Sequence, residues 1–179
     1  LFDDKGGYNY ANISDTKLTA NILKHNPNYE LTGLPNRRRF LAELELLTRR
    51  EGTLLILDLN GFKQVNDKFG HDVGDQLLRQ ISIRFQRATS DSLLARLGGD
   101  EFGVIVYGPK QIGEEVAAAL KSTLTYPFRL QSGELSVGVA IGIATTEGNL
   151  RSAEDLLRHA DGAMYQAKRE NLGLVERGK

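Results

Sequence analysis

Three acidic residues occupy positions where their carboxylates could act together. Asp58 ends TLLILDL (Thr53–Leu59), a nearly continuous apolar run that predicts a buried β-strand. Asp100 and Glu101 follow two glycines in RLGGDEFGVIVYG, where a Gly-Gly turn between apolar runs predicts a β-hairpin. If this hairpin lies beside the Asp58 strand, one sheet brings the three acids together.

Carboxylates that share a dry site repel one another, and one takes up a proton unless a cation lies between them. Mg²⁺ is usually held by one or two carboxylates, while waters and substrate phosphates complete its octahedron. Asp58, Asp100 and Glu101, with the backbone carbonyl of Leu59, therefore predict a metal-phosphate site. The plain alternatives are a cap or turn role for Asp58 and a solvated hairpin tip for the other two acids.

The segment after Asp58 contains groups that suit a bound nucleotide. Gly61 and Phe62 can offer backbone N–H groups to phosphate oxygens at the start of a short helix, and Lys63 is a point charge suited to a polyphosphate. Asn66 and Asp75 are a candidate pair for reading a purine. A carboxylate accepts hydrogen bonds from N1–H and the 2-amino group of guanine, and adenine lacks that pair of donors.

Each of these polar residues also has a simpler structural explanation. Asn66 could be a helix C-cap, Asp75 the N-cap of the next helix, and His71 a loop residue. Lys168 could favour the C-terminal end of the last helix. Other catalytic templates are missing from the sequence, including the P-loop, the GxGxxG turn, HExxH and the GxSxG elbow.

The apolar pattern predicts the elements that would position these residues. Four helices are expected besides the short one after Asp58. The first helix has Pro35 in its first turn and an apolar face of Phe40, Leu41, Leu44 and Leu47. The second buries Leu77, Leu78, Ile81 and Phe85, and the third, near Gln111–Leu124, buries Ile112, Val116, Leu120 and Leu124. The last helix opens with the spacing of a capping box, Ser152 and Asp155, and buries Leu156, Ala160, Ala163 and Ala167.

A late strand is expected at Glu134–Thr145, with Gly138 and Gly142 marking tight packing. The order helix, strand, helix, hairpin, helix, strand, helix predicts one α/β (α+β) domain. Its central sheet is mixed, mostly antiparallel, and flanked by helices.

Composition narrows the classes of function. Lysine plus arginine equals aspartate plus glutamate, 23 each among 179 residues, which argues against a nucleic-acid binder that works through bulk positive charge. The absence of cysteine excludes disulfides and thiolate metal sites. The longest apolar run, near Val137–Ala144, is far shorter than the ~20 residues that span a bilayer. The first residue, Leu1, predicts that the chain is a piece of a longer one.

Five segments resemble, in order and spacing, the GGDEF family of diguanylate cyclases: LTGLPNRRRF, DLNGFKQVNDKFGHDVGDQLL, ARLGGDEF, AIGIAT and ADGAMYQAKR. The resemblance covers about residues 29–172. It implies a fold related to the palm of nucleotidyl cyclases and polymerases. It also implies condensation of two GTP into cyclic di-GMP, with release of two pyrophosphates, by two domains that meet face to face.

The resemblance assigns roles residue by residue. Asp58, the Leu59 carbonyl and Asp100, with Glu101 beside them, are expected to hold Mg²⁺ or Mn²⁺, and Asp100 or Glu101 assists deprotonation of the attacking hydroxyl. Lys63 is expected to be catalytic as well, because it neutralises phosphate charge. The remaining expected site residues bind substrate: Gly61, Phe62 and Lys168 on the phosphates, and Asn66, His71 and Asp75 around guanine and ribose.

Four departures from the family pattern have consequences. Tyr29 stands where an Asp is usual, which affects coupling to an upstream element. Asn60 replaces a second acid at little expected loss. Leu172 stands where an Arg would meet phosphate. Residues 89–92 read TSDS instead of the inhibitory RxxD, so no inhibitory product site is expected.

We therefore divide the chain into residues 1–28, a linker or the end of an upstream signalling element; residues 29–175, the GGDEF domain; and residues 176–179, a C-terminal tail. The leading hypothesis is an active, Mg²⁺-dependent homodimeric diguanylate cyclase in the cytoplasm, alone or as the cytoplasmic part of a membrane-anchored signalling protein with an upstream sensor. The alternative is a catalytically weak GTP-binding regulatory module attached to a cyclic di-GMP phosphodiesterase (EAL) domain. No nucleic-acid partner is expected.

Overall fold

A computed structural model describes residues 31–147 and 152–176, with side chains as far as residue 170. The helices in these ranges are α1 (Arg37–Leu47), α2 (Phe62–Phe69), α3 (His71–Ala88), α4 (Lys110–Thr123) and α5 (Ala153–Glu176). The strands are β1 (Gly52–Asn60), β2 (Leu93–Gly98), β3 (Glu101–Tyr107), β4 (Phe128–Leu130), β5 (Gly133–Leu135) and β6 (Gly138–Thr145). The predicted segment 1–28, Tyr29 and residues 177–179 lie outside the described residues.

Four strands form the main sheet in the order β2-β3-β1-β6, and each neighbouring pair is antiparallel. Helices cover both faces of this sheet, so the predicted fold class is confirmed. The strand predicted at Thr53–Leu59 is β1, which occupies a central position between β3 and β6. No helix in the described ranges is long and apolar enough to cross a membrane.

The central strand β1 is buried on both faces, which explains its continuous apolar run. Leu55, Leu57 and Leu59 point to one side, where they pack in a core with α3 and α4. Leu54 and Ile56 point to the other side, where α1 and α5 cover them. Because side chains alternate along a strand, Asp58 continues the second series and faces the α1–α5 side.

Helix α1 begins at Arg37, after the expected start. Asn36 is its N-cap, and the Asn36 side chain accepts a hydrogen bond from the Arg39 N–H. Pro35 precedes this cap, so its prediction as a first-turn residue is wrong; its carbonyl accepts instead from the Arg96 N–H of β2. Phe40, Leu44 and Leu47 are buried as predicted, and Leu41 is half-buried.

The apolar faces predicted for α3 and α4 agree with the structure only in part. The α3 face of Leu77, Leu78, Ile81 and Phe85 is buried as predicted. Leu120 of α4 and Leu124 at its C-cap are buried, and Val116 is half-buried, but Ile112 is 42% exposed, so its predicted burial is wrong. The reason is a close approach at the next position, where a side chain on Gly113 would overlap Thr53 of β1. Gly113 therefore faces the sheet and turns Ile112 towards solvent.

The single strand predicted at Glu134–Thr145 is two strands. β5 pairs with β4 in a small separate hairpin, and β6 joins β1 only from Gly138, opposite Asn60. The chain changes partner at Ser136 and Val137, which ends one ladder before the next begins. The strand β4 was missed because its three residues, FRL, carry too short a pattern.

Helix α5 lies directly against β6. The Ser152 cap is confirmed, since the Asp155 N–H donates to Ser152 Oγ. The Asp155 carboxylate accepts from the Ser152 hydroxyl and not from the backbone N–H that completes a capping box. Leu156 and Ala160 are buried, whereas Ala163 and Ala167 are half-buried. The predicted tight packing is present at Gly142, where a side chain would overlap the Ala160 carbonyl; at the exposed Gly138 a side chain would make only ordinary contacts.

Candidate active site

The strand register places two of the predicted acids opposite each other. Asp58 of β1 and Glu101 of β3 are direct partners in the antiparallel ladder. Opposed residues share a face of the sheet, so both carboxylates project towards α1 and α5. The Asp58 side chain is only 11% exposed, and Glu101 is half-buried. The site is therefore built on two central strands and not on a flexible loop.

The hairpin between β2 and β3 fixes the third acid. Gly98 pairs with Glu101, so the loop residues are Gly99 and Asp100, and not the glycine pair itself. Gly98 has φ +149° and Gly99 has φ +50°, backbone angles that residues with a side chain rarely adopt. The Leu59 N–H donates to the Asp100 carbonyl at 3.2 Å, which ties the tip to the end of β1. Arg96 Nε donates to the Gly99 carbonyl at 3.0 Å.

These acids form a cluster of like charge. Burial and the Asp58 carboxylate raise the pKa of Asp100. Burial, followed by the charges of Asp58, Asp100 and Asp161, raises the pKa of Glu101, and Arg37 opposes this shift. Burial is the larger cause for both groups, and the neighbouring carboxylates add to it. A bound cation would stabilise the charged form of both carboxylates.

Lys168 supplies one positive charge directly. Its Nζ donates to Asp58 Oδ1 at 2.6 Å, across 110 residues of sequence. The Lys168 side chain is 38% exposed, so it lies at the rim of the cluster. Because α5 continues to Glu176, Lys168 is in the helix interior, and the explanation that it serves the helix C-terminus is wrong.

The donor set fits a divalent cation of the magnesium type. In the described ranges, no three acidic or histidine side chains converge as a complete metal centre. Mg²⁺ does not require one, because substrate phosphates and waters supply its remaining ligands. Asp58, Asp100 and Glu101 lie close enough for their charges to affect one another, and the Asp100 carbonyl is hydrogen-bonded to the Leu59 N–H. Those residues could hold such an ion.

The predicted phosphate-binding segment follows β1 without a gap. Gly61 is the N-cap of α2 with φ +86°, Phe62 is 7% exposed, and Lys63 is exposed on the first turn. Helix α2 therefore starts four residues after Asp58, with its N-terminal N–H groups at the same end of the sheet. The predicted short helix is present, and its binding role stays a prediction.

The predicted base-reading residues lie where α2 meets α3. Asn66 Oδ1 is buried and has no hydrogen-bond partner within the described part of the chain. A side chain on Gly74 would overlap this oxygen, so Asn66 is packed against the residue before Asp75. Asp75 is half-buried. The structure thus brings Asn66 and Asp75 to one helix crossing.

Two capping explanations for these residues are wrong. Asn66 is not a C-cap, because α2 runs to Phe69 and Gly70 caps it. Asp75 is not an N-cap, because it lies inside α3, whose N-cap is also Gly70. His71 is the first residue of α3 and is exposed, which is not a loop position. The side chain of Leu172 lies outside the described residues.

Sequence reasoning did not identify Asp161 as a neighbour of the site. This residue of α5 contributes to the raised pKa of Glu101, and it lies seven residues before Lys168. Seven residues are about two helical turns, so both side chains occupy one face of α5. The sequence shows this seven-residue spacing, but only the packing of α5 against the sheet shows that the face contacts the acids.

Comparison with known proteins identifies the family. The model of the family described as the diguanylate cyclase GGDEF domain matches residues 30–172. This chain therefore belongs to the GGDEF family. The match confirms the predicted family and the class of enzyme, diguanylate cyclase, that it defines.

Individual relatives carry different names. The signalling protein YkoW of Bacillus subtilis is 40% identical over 151 residues, 79% of this chain and 19% of YkoW. The cyclic di-GMP phosphodiesterase PdeR of Escherichia coli is 36% identical, over 80% of this chain and 22% of PdeR. The diguanylate cyclase TpbB of Pseudomonas aeruginosa is 36% identical, over 84% of this chain and 37% of TpbB. The chain thus spans a fifth to about a third of these proteins.

Solved structures agree with the fold. The GGDEF domain of TpbB (YfiN) from Pseudomonas aeruginosa superposes with a TM-score of 0.74 at 34% identity. The match covers 79% of this chain and 88% of that domain. It confirms the predicted fold, that of the palm-like cyclase domains.

Proposed function

We propose that this domain condenses two GTP into cyclic di-GMP and releases two pyrophosphates, with Mg²⁺ or Mn²⁺, as a dimer of half-sites. The observation that carries the proposal is the pairing of Asp58 with Glu101 beside the Asp100 turn. This arrangement presents three carboxylates on rigid backbone at the end of the sheet where α2 begins. It suits a metal-assisted displacement at phosphorus.

Asp58, the Leu59 carbonyl, Asp100 and Glu101 would hold the cation. When bound, that ion polarises the phosphate and lowers the pKa of a hydroxyl next to it. Residues of the chain then accept the proton of the attacking hydroxyl and neutralise the charge of the phosphates. Asp100 or Glu101 accepts the proton of the 3′-hydroxyl. Lys63 and Lys168 neutralise the phosphates.

The preference for guanine rests on the crossing of α2 and α3. The unpartnered Asn66 Oδ1 is an acceptor that needs a donor, because a buried polar group without a partner costs about 1–3 kcal/mol. The 2-amino group of guanine is such a donor, and Asp75 accepts from N1–H. His71 stands at the start of α3 beside the same crossing. Gly61 and Phe62 offer backbone N–H groups to the phosphates.

The reaction requires two domains, because each half-site presents its 3′-hydroxyl to the α-phosphate held by the other. We therefore propose a homodimer in the active state, brought together by an upstream sensor in a longer protein. We place the domain in the cytoplasm, where its nucleoside triphosphate substrate is available.

The test is direct synthesis by a forced dimer. A leucine zipper fused ahead of residue 29 holds two domains together, and chromatography follows cyclic di-GMP formed from GTP and Mg²⁺. Wild type is expected to make product, and Asp100→Asn to lose at least ~100-fold in rate. Asp91→Asn, the same change at an exposed residue outside the site, is the control. A wild-type dimer that binds GTP and makes nothing contradicts the proposal.

The second candidate is a GTP-binding regulatory module for a phosphodiesterase domain. One observation favours it: PdeR, a relative at 36% identity, is named a cyclic di-GMP phosphodiesterase. This function requires GTP binding without synthesis. It is supported if the forced dimer makes no product and an EAL domain joined to this chain changes its hydrolysis rate on addition of GTP.

A further inference from the structure

We propose that Lys168 acts as a stand-in cation in the nucleotide-free domain. Its ammonium pairs with one oxygen of Asp58, an expected ligand of the divalent cation, and it leaves that oxygen for the substrate phosphates when nucleotide binds. Lys168 is then a positioning residue that couples metal binding to nucleotide binding. The inference depends on the proposed function in one respect, that Asp58 is a metal ligand.

The contact is short and one partner is buried. Lys168 Nζ lies 2.6 Å from Asp58 Oδ1, and the Asp58 side chain is 11% exposed. A buried carboxylate without a counter-charge is strongly unfavourable. Without a metal, Lys168 therefore stabilises Asp58. A divalent cation that binds Asp58 has to displace this ammonium or accept its repulsion at short range.

The surroundings allow Lys168 to move. Its side chain is 38% exposed and ends a flexible four-carbon stem, while the α5 backbone is held by the contact of Gly142 with Ala160. Other charges also face the cluster: the acids Asp100, Glu101 and Asp161, and the cations Arg37 and Arg96. When Lys168 leaves Asp58, it remains near negative charge, and a polyphosphate would provide more.

A coupling between the two ligands follows. In the nucleotide-free domain, Lys168 lowers the affinity for the cation. Once the phosphates bind the Lys168 ammonium, it no longer repels the cation at Asp58. Nucleotide and cation therefore each favour binding of the other. Such coupling is reciprocal, and between sites it is typically 5–150-fold.

Binding of Mn²⁺ alone to the nucleotide-free domain tests this inference without any turnover. The free ion is followed by electron paramagnetic resonance. Lys168→Met removes the charge and keeps the stem, and it is expected to bind Mn²⁺ about tenfold more tightly than wild type. Lys168→Gln is a second neutral variant in case the first does not fold, and Lys168→Arg, which keeps the charge, stays near wild type. Asp58→Asn binds Mn²⁺ weakly.

Two lysine controls separate a direct contact from general charge. Lys110→Met removes an exposed lysine that pairs with Glu114, and it leaves Mn²⁺ affinity unchanged. Lys121→Met removes an exposed lysine in the last turn of α4, outside the site, and it changes the affinity by less than twofold. The inference is overturned if Lys168→Met and Lys168→Gln bind Mn²⁺ no more tightly than wild type, or if Lys121→Met tightens binding as much.

A non-hydrolysable GTP analogue supplies the second measurement. With the analogue bound, wild type is expected to gain Mn²⁺ affinity by more than Lys168→Met does, so the tenfold gap closes. An equal gain in both proteins overturns the inference. The outcome is independent of catalysis: a forced dimer that makes no cyclic di-GMP contradicts the proposed function, whereas the Mn²⁺ titration reports on Lys168 and Asp58 alone.

Discussion

Asp58 and Glu101 stand opposite each other in the β1–β3 ladder, and both side chains face the α1–α5 side of the sheet. Like charges at directly opposed positions destabilise a sheet. The sequence thus places two acids where folding alone would favour an apolar pair. A cation bound at this end of the sheet would offset that cost, and the first prediction measures it.

Glu101→Gln is expected to stabilise the metal-free domain at neutral pH. The pKa values of Asp100 and Glu101 are raised in the folded state, so the folded domain binds more protons than the unfolded chain between the ordinary and the raised pKa. Stability is therefore greatest below the ordinary carboxylate pKa and falls as pH rises through that window. The variant has no carboxyl group to ionise at position 101, so it avoids this part of the loss of stability. Its melting temperature at pH 7 is therefore expected to rise by ~1–2 °C.

Thermal unfolding in EDTA between pH 4 and pH 8 checks this expectation. Glu115→Gln, at an exposed position of α4, is the matched control and melts like wild type. Added Mn²⁺ stabilises wild type more than Glu101→Gln, because the variant has lost a ligand. A melting temperature for Glu101→Gln at or below that of wild type in EDTA contradicts the argument.

Gly142→Ala is expected to destabilise the domain and weaken the Lys168–Asp58 contact. A methyl group there overlaps the Ala160 carbonyl and the Met164 backbone, so α5 must move away from β6. Overpacking of this kind costs about 1–3 kcal/mol in free energy of unfolding. Urea titration measures it.

The same helix offers a control of opposite sign. Gly162 lies in α5, is exposed, and has open space around its Cα. Gly162→Ala is expected to stabilise by about 0.5–1 kcal/mol, because alanine is the better helix former. If both substitutions change stability in the same direction, the close approach at Gly142 is not what positions α5.

Gly74→Ala is expected to weaken GTP binding at least ~10-fold, because the new methyl group displaces Asn66 Oδ1 from its place beside Asp75. Calorimetric titration with a non-hydrolysable GTP analogue measures the loss. Asn66→Ala weakens binding by a similar factor, and the double variant is no weaker than either single one, since both changes remove one contact. Additive losses would show that Gly74 acts on binding by another route.

Cyclic di-GMP at micromolar concentration is expected not to inhibit through a site at residues 89–92. The buried Thr89 donates its hydroxyl to the Phe85 carbonyl at 2.8 Å, and the Ser92 N–H donates to the Thr89 carbonyl. These short side chains do not carry the Arg and Asp that such a site requires. Initial rates of the forced dimer with added product check this. Strong non-competitive inhibition would contradict it.

The sequence determined the features that depend on local pattern. The buried strand at β1, the β2–β3 hairpin, the α3 face around Ile81 and the Ser152 cap all follow from periodicity, glycine content and cap spacing. These signals extend over a few residues, and each is satisfied within its own element. The acids Asp58, Asp100 and Glu101 were recognised in the same way, from their places at the ends of such elements.

The tertiary structure decided what depends on contact between distant segments. It set the register that opposes Asp58 to Glu101, the docking of α5 that brings Lys168 to Asp58 across 110 residues, and the approach of Gly113 to Thr53 that turned Ile112 outwards. None of these has a local signal, because in each case the partner lies in another element. The sequence shows which residue types are present, but the packing of the elements decides which of these residues contact each other.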